Sequence, residues 1–169
     1  MIGLSLVLAA AVSIPSRPDL GKAAGLCRAN EDGPAFLVTV KGLKDREGYL
    51  KLELYPANDK DFLADDNVLV AAGKAFRRVE IRTPSSGTVQ MCIRTPGPGT
   101  YPLSLLHDRD SNRKFSLSID GIGFAGNPKL GWSKPSASSA SARSLAGPTP
   151  IEIVMNYRKS LFSFGPVGK

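Results

Sequence analysis

The chain has 169 residues, 42% hydrophobic and 22% charged, which is apolar surface enough for one globular domain and too much for a disordered polypeptide. Its formal charge is +7 with 1 histidine and 2 cysteines, so a zinc centre built from those residue types lacks ligands. The 17 glycines and 13 prolines fall between short apolar runs, which is the punctuation of a turn-connected β protein.

In chain order, Ile2 to Ile14 is an apolar run ending at Pro15, shorter than the ~18 residues of a membrane-spanning helix. Small residues around Ala11, Val12 and Ser13 suit cleavage, so residues 1–14 read as a signal peptide, although no Lys or Arg precedes the run. The alternative is a buried apolar N-terminal strand. Residues 15–34 then form an N-terminal segment ahead of a domain spanning 35–157. Leu26 before Cys27 does not fit a lipidation signal. In an exported protein Cys27 and Cys92 are expected to pair, closing a long loop and pinning the segment to a strand; two buried free thiols are the alternative.

Phe36, Val38 and Val40 alternate with Leu37 and Thr39, and a polar turn at Asp45 to Gly48 follows. Leu50, Leu52 and Leu54 then occupy one face opposite Lys51 and Glu53, the period of a half-buried antiparallel strand. Asp59 to Asn67 reads as a loop with one helical turn at Phe62 and Leu63. Val79 and Ile81 between Arg78, Glu80 and Arg82 mark another strand, as do Val89, Met91 and Ile93. The turn at Thr95 to Gly99 leads into Tyr101 to Leu106. Tyr101, following Gly99, is a candidate for the corner tyrosine whose hydroxyl returns to nearby backbone in immunoglobulin-like sandwiches; an ordinary strand tyrosine is the alternative. Ser, Ala, Pro and Gly dominate 133–150, which reads as a mobile loop before a last strand through Ile151, Ile153, Met155 and Tyr157. A tail, 158–169, carries Leu161, Phe162 and Phe164, expected to dock on the sandwich. Such a series predicts an all-β fold, an antiparallel two-sheet sandwich of immunoglobulin-like or transthyretin-like type.

The chemistry concentrates in His107 to Asp120. Asp108, Asp110 and Asn112 sit at alternate positions, as in the opening half of a calcium loop. Arg113 occupies the place such a loop needs for Gly, and Ile119 the place of its closing acid, with Asp120 one position late. The competing expectation is a turn in which Asp side chains bond backbone amides. His107 and Asp108 are adjacent and point to opposite faces of a strand, so a catalytic triad would require a serine from elsewhere, such as Ser104 or Ser133. No activated-serine or phosphate-loop motif is present.

Gly99, Tyr101, His107, Asp108, Asn112 and Lys114, followed by Asp120 to Asn127, resemble the signature of a bacterial exported family, domain of unknown function 2141, whose pattern runs G-x-Y-A, an apolar run, then H-D-x-N-x-N-G-K. The resemblance extends from about Phe36 to about Asn127, with Asp110, Arg113 and Ser116 departing from the pattern. It implies export and no defined activity. The basic residues are scattered, without aromatic interleaving, so anionic envelope components or another protein are the expected partners, and nucleic acid is not. The expectation is a periplasmic or secreted, non-enzymatic binding or structural module, without cofactor and without a transmembrane segment after signal removal. The alternative is a calcium-binding or hydrolytic site at His107 to Asp120.

Overall fold

The computed structural model describes residues 13–131, 133–161 and 163–167. The expected signal peptide, apart from Ser13 and Ile14, and Phe162 of the tail lie outside the described residues. The described chain forms β1 (Ala35–Lys41), β2 (Tyr49–Leu54), β3 (Arg77–Arg82), β4 (Val89–Arg94), β5 (Gly99–Asp108), β6 (Gly121–Phe124), β7 (Ser141–Ser144), β8 (Pro148–Val154), β9 (Asn156–Ser160) and β10 (Ser163–Pro166). Two short helices accompany them, α1 (Lys22–Gly25) and α2 (Asp66–Ala71). Among the described residues no helix is long and apolar enough to cross a membrane.

The strands make a two-sheet sandwich. The smaller sheet has the order β4-β1-β8, and the larger has β10-β9-β6-β5-β2-β3 with β7 paired to the first half of β5. Pairing is antiparallel except between β1 and β8. Leu50, Leu52 and Leu54 of β2, Leu103 and Leu105 of β5, and Phe36, Val38 and Val40 of β1 meet between the sheets and are buried. Lys51, Glu53 and Tyr55 therefore point outward, because successive side chains of a strand face opposite ways.

That outward face carries a second core. Tyr55, Phe62, Leu69, Phe76 and Phe124 pack with Ala137 and Ala140, and edge-to-face contacts join Tyr55 to Phe62 (5.6 Å between ring centres), Tyr55 to Phe76 (5.5 Å) and Phe62 to Phe124 (5.9 Å). Residues 56–76 thus cover one end of the sheet. Phe62 lies in a hydrogen-bonded turn, its amide donating to the Asn58 carbonyl, within the stretch read as a loop with one helical turn, and α2 begins at the end of that stretch.

Three segments depart from the sequence expectation. The stretch 133–150, expected to be a loop, contains β7 and buries Ala137, Ala140 and Ser144; the Leu103 amide donates to the Ala140 carbonyl. Its small side chains let the backbone lie directly on β5, so poverty in large apolar residues here marks close approach. The single last strand is two. β8 runs parallel to β1 and β9 antiparallel to β6, with the chain changing sheets at Met155. Ile153, Met155 and Tyr157 all reach the same inter-sheet core, so their alternation continues unbroken across the switch. The tail forms β10, hairpinned on β9, with Phe164 half-buried and Leu161 exposed.

Cys27 and Cys92 form a disulfide with 5.9 Å between their Cα atoms, fixing the N-terminal segment to β4. At the turn into β5 the Tyr101 hydroxyl donates to the Gly97 carbonyl (3.1 Å). A Cβ on Gly99 would lie 3.2 Å from that hydroxyl, so the ring passes closely over the glycine.

Candidate functional site

β5 ends in His107 and Asp108, and the pleat sends the two apart. His107 points between the sheets and is fully buried. Its Nε2 lies 2.8 Å from the Glu47 carbonyl and its Nδ1 2.6 Å from the Tyr157 hydroxyl. A carbonyl only accepts, so Nε2 carries the proton and Nδ1 accepts from Tyr157. The Tyr157 oxygen in turn accepts from the Lys44 amide (3.3 Å). Burial lowers the imidazole pKa below its usual 6.5 despite the raising influence of the Glu47 carbonyl and Asp45, and burial pushes the Tyr157 hydroxyl up to about 12. The ring is held neutral with both nitrogens occupied. A Cβ at Gly121 would overlap the Tyr157 ring, so glycine there makes room for this pair. Of the serines considered for a triad, Ser104 bonds Tyr55 on the other face of the sheet, and Ser133 borders the groove beside β9 and β10.

Asp108 is buried beneath the following loop. Its Oδ1 accepts from the Asn112 amide (3.1 Å) and its Oδ2 from the Arg113 amide (2.8 Å). Asp120, at the entry to β6, does the same from the other side: Oδ1 accepts from the Arg109 amide (2.9 Å) and Oδ2 from the Ser116 amide (2.8 Å). Asp110 is exposed and bonds the Asn112 amide and side chain, while Asn112 Oδ1 accepts from the Lys114 amide (2.7 Å). The loop is drawn tight enough that Ser111 and Arg113 adopt positive φ. Carboxylate oxygens of Asp108, Asp110 and Asp120 lie within 4.8 Å of one another. Burial pushes the Asp108 carboxyl up, with Asp110 and Asp120 adding to the effect against the lowering by the two amides.

The three aspartates converge, then, without His107, and Asn112 braces the loop. The neighbouring cations turn away. Arg109 pairs with Asp45 (2.6 Å), and Arg113 with Glu80 (2.6 Å).

A further constellation lies on the outward face of β2 and β3. Arg78 bonds Glu53 (2.7 Å), Asp66 of α2 (3.0 Å) and the Arg17 carbonyl (3.1 Å), and Tyr55 donates to Glu53 (2.7 Å). All four side chains are buried at the base of a cleft of about 450 Å³, which Lys51, Glu80, Arg113 and Phe115 also line. Burial pulls the Asp66 carboxyl up, but the Ser16 hydroxyl and Arg78 overcome it and hold it below the ordinary value. In sequence these were only the polar halves of two alternating strands. The signal lay in register, since Glu53 faces Arg78 and Lys51 faces Glu80 once the strands pair antiparallel.

Fold and site together define a disulfide-braced β-sandwich whose histidine and aspartates are engaged internally and whose outward face on the larger sheet carries a polar cleft and an apolar groove. The chain belongs to the family described as an uncharacterized protein conserved in bacteria, domain of unknown function 2141, whose sequence profile matches residues 38–151. No curated protein and no solved structure matches the chain.

Proposed function

We propose that the protein is an exported binding module of the bacterial envelope that performs no chemistry of its own and takes its ligand on the outward face of the larger sheet. The observation that carries this is the contrast between an imidazole with both nitrogens occupied and an open cleft bordered by an apolar groove on the opposite side of β5. Export is supported by the Cys27–Cys92 bridge, which persists in oxidising compartments, and by the apolar segment at residues 1–14. The charge of +7 favours an anionic partner. The Tyr101 to Gly97 bond favours an immunoglobulin-like arrangement within the sandwich class.

One observation favours a second reading. Convergence of Asp108, Asp110 and Asp120 suits a calcium ion, for which carboxylate oxygens are the usual ligands.

The test is nuclear magnetic resonance shift mapping of the protein against envelope extract, together with N-terminal sequencing of material from the periplasmic fraction. Shifts clustered around Glu53, Arg78 and Phe115, on a chain starting near Ile14, are expected. Shifts confined to the carboxylate loop around Asp108, Asp110 and Asp120, or a retained Met1, would refute the proposal.

A further inference from the structure

We propose that the apolar groove beside β6, β9 and β10 holds the hydrocarbon chain of a single-chain carboxylate amphiphile, with Lys134 and Arg158 receiving its headgroup; this rests on the outward face being the ligand surface. The groove encloses about 310 Å³, at the lower end of the ~300–1,000 Å³ typical of small-molecule sites. Its walls are Phe115, Leu117, Ile122, Phe124, Leu130 and Phe164. Phe115 and Leu117, which form part of these walls, remain 45% and 41% exposed.

Charge selects the occupant. Among the described residues no acidic side chain lines the groove, yet two cations do. In the adjoining cleft, by contrast, Lys51, Arg78 and Arg113 each face a carboxylate. Neither Lys134 nor Arg158 has an ion-pair partner among the described residues. The Lys134 ammonium is fixed by the carbonyls of Asp59 (3.2 Å) and Phe62 (3.0 Å), which use two of its three donors and leave its charge uncompensated. Arg158 donates Nε to the Ser160 carbonyl (3.2 Å), and among the described residues its remaining donors are left for a carboxylate. A peptide strand fits less well, because its amides would meet apolar side chains and lose hydrogen bonds. A hydrocarbon chain has no such groups to satisfy.

Calorimetric titration of the full chain with dodecanoate, below its micellar concentration, tests this. One saturable site is expected. Dodecanol should bind about tenfold more weakly, the loss of one charge-assisted bond. Lys134→Gln with Arg158→Gln should bring the two ligands to equal affinity, and Leu117→Ser, at an exposed position that leaves the fold intact, should weaken both. Dodecanol binding as tightly as dodecanoate to the wild type would overturn the proposal. So would dodecanoate affinity unchanged in Leu117→Ser, or a concentration-dependent dimer abolished by Phe115→Ser in a protein that ignores dodecanoate, which would make the groove a self-association surface. Absence of dodecanoate binding while envelope extract still shifts residues around Arg78 would overturn this ligand class and leave the binding-module proposal standing; extract shifts away from the outward face of the larger sheet would refute that proposal itself.

Discussion

Replacing Asp108 with alanine separates the structural role of the loop carboxylates from an ion-binding one. The substitution removes two acceptors, for the Asn112 amide at 3.1 Å and the Arg113 amide at 2.8 Å. A hydrogen bond to a charged group contributes about 1.5–3 kcal/mol, so the upper bound for both is roughly 6 kcal/mol. Two effects reduce it. Asn112 and Arg113 are exposed residues whose amides can turn to water, and burial raises the Asp108 carboxyl pKa, so its ionised form is held at a cost that truncation relieves. The net loss should be about 1–3 kcal/mol, or roughly 2–12 °C in melting temperature for a chain of this size. Asp108→Asn should fall between, since its carbonyl can accept one amide while its NH2 opposes the other. Urea and thermal melts, each with millimolar calcium and with chelator, measure this. A loss below about 0.5 kcal/mol, the range of an ordinary surface substitution, would refute the structural role. A calcium-induced rise of several degrees that vanishes in Asp108→Ala would instead establish the metal site.

Reduction of Cys27–Cys92 should destabilise the protein by about 4 kcal/mol, from the loop-closure entropy of the 65-residue separation, read as a lower urea midpoint in dithiothreitol; an unchanged midpoint contradicts it. His107 should show its environment in pH dependence. Its folded pKa lies below the unfolded value of about 6.5, so the unfolded chain takes up the proton first; stability is complete above that value and declines as pH falls from it through the folded pKa, by at most about 1.4 kcal/mol per pH unit. Because His107 is the single histidine, its ring resonances report this directly, and titration at or above pH 6.5 would disprove the buried neutral state. Arg78→Met removes the cation shared by Glu53 and Asp66 in a buried site and should cost about 3–5 kcal/mol, with Glu53→Leu restoring part of the loss; a double variant no more stable than Arg78→Met would contradict this.

The strands with one polar face are legible from the order of residues alone. In Phe36 to Val40, Leu50 to Leu54 and Val89 to Ile93 the period of two survives because the inter-sheet core takes every second side chain and water takes the rest, so burial is written locally in the alternation. The cysteines were legible as a pair for a similar reason, few in number and placed on either side of the first strand. Within the candidate site the aspartates were visible as a polar loop, but their convergence depends on β6 returning Asp120 beside Asp108. The remaining features depend on long-range contacts. The switch of sheets at Met155 leaves no local trace, because Ile153 and Tyr157 feed one core from two sheets. β7 is specified by what it lies on, small residues against β5, and not by any apolar pattern of its own. The neutral state of His107 and the buried Glu53–Arg78–Asp66 network arise from partners 12 to 60 positions away, and long-range contacts of that kind fix burial and charge pairing without altering the spacing of residues along the chain.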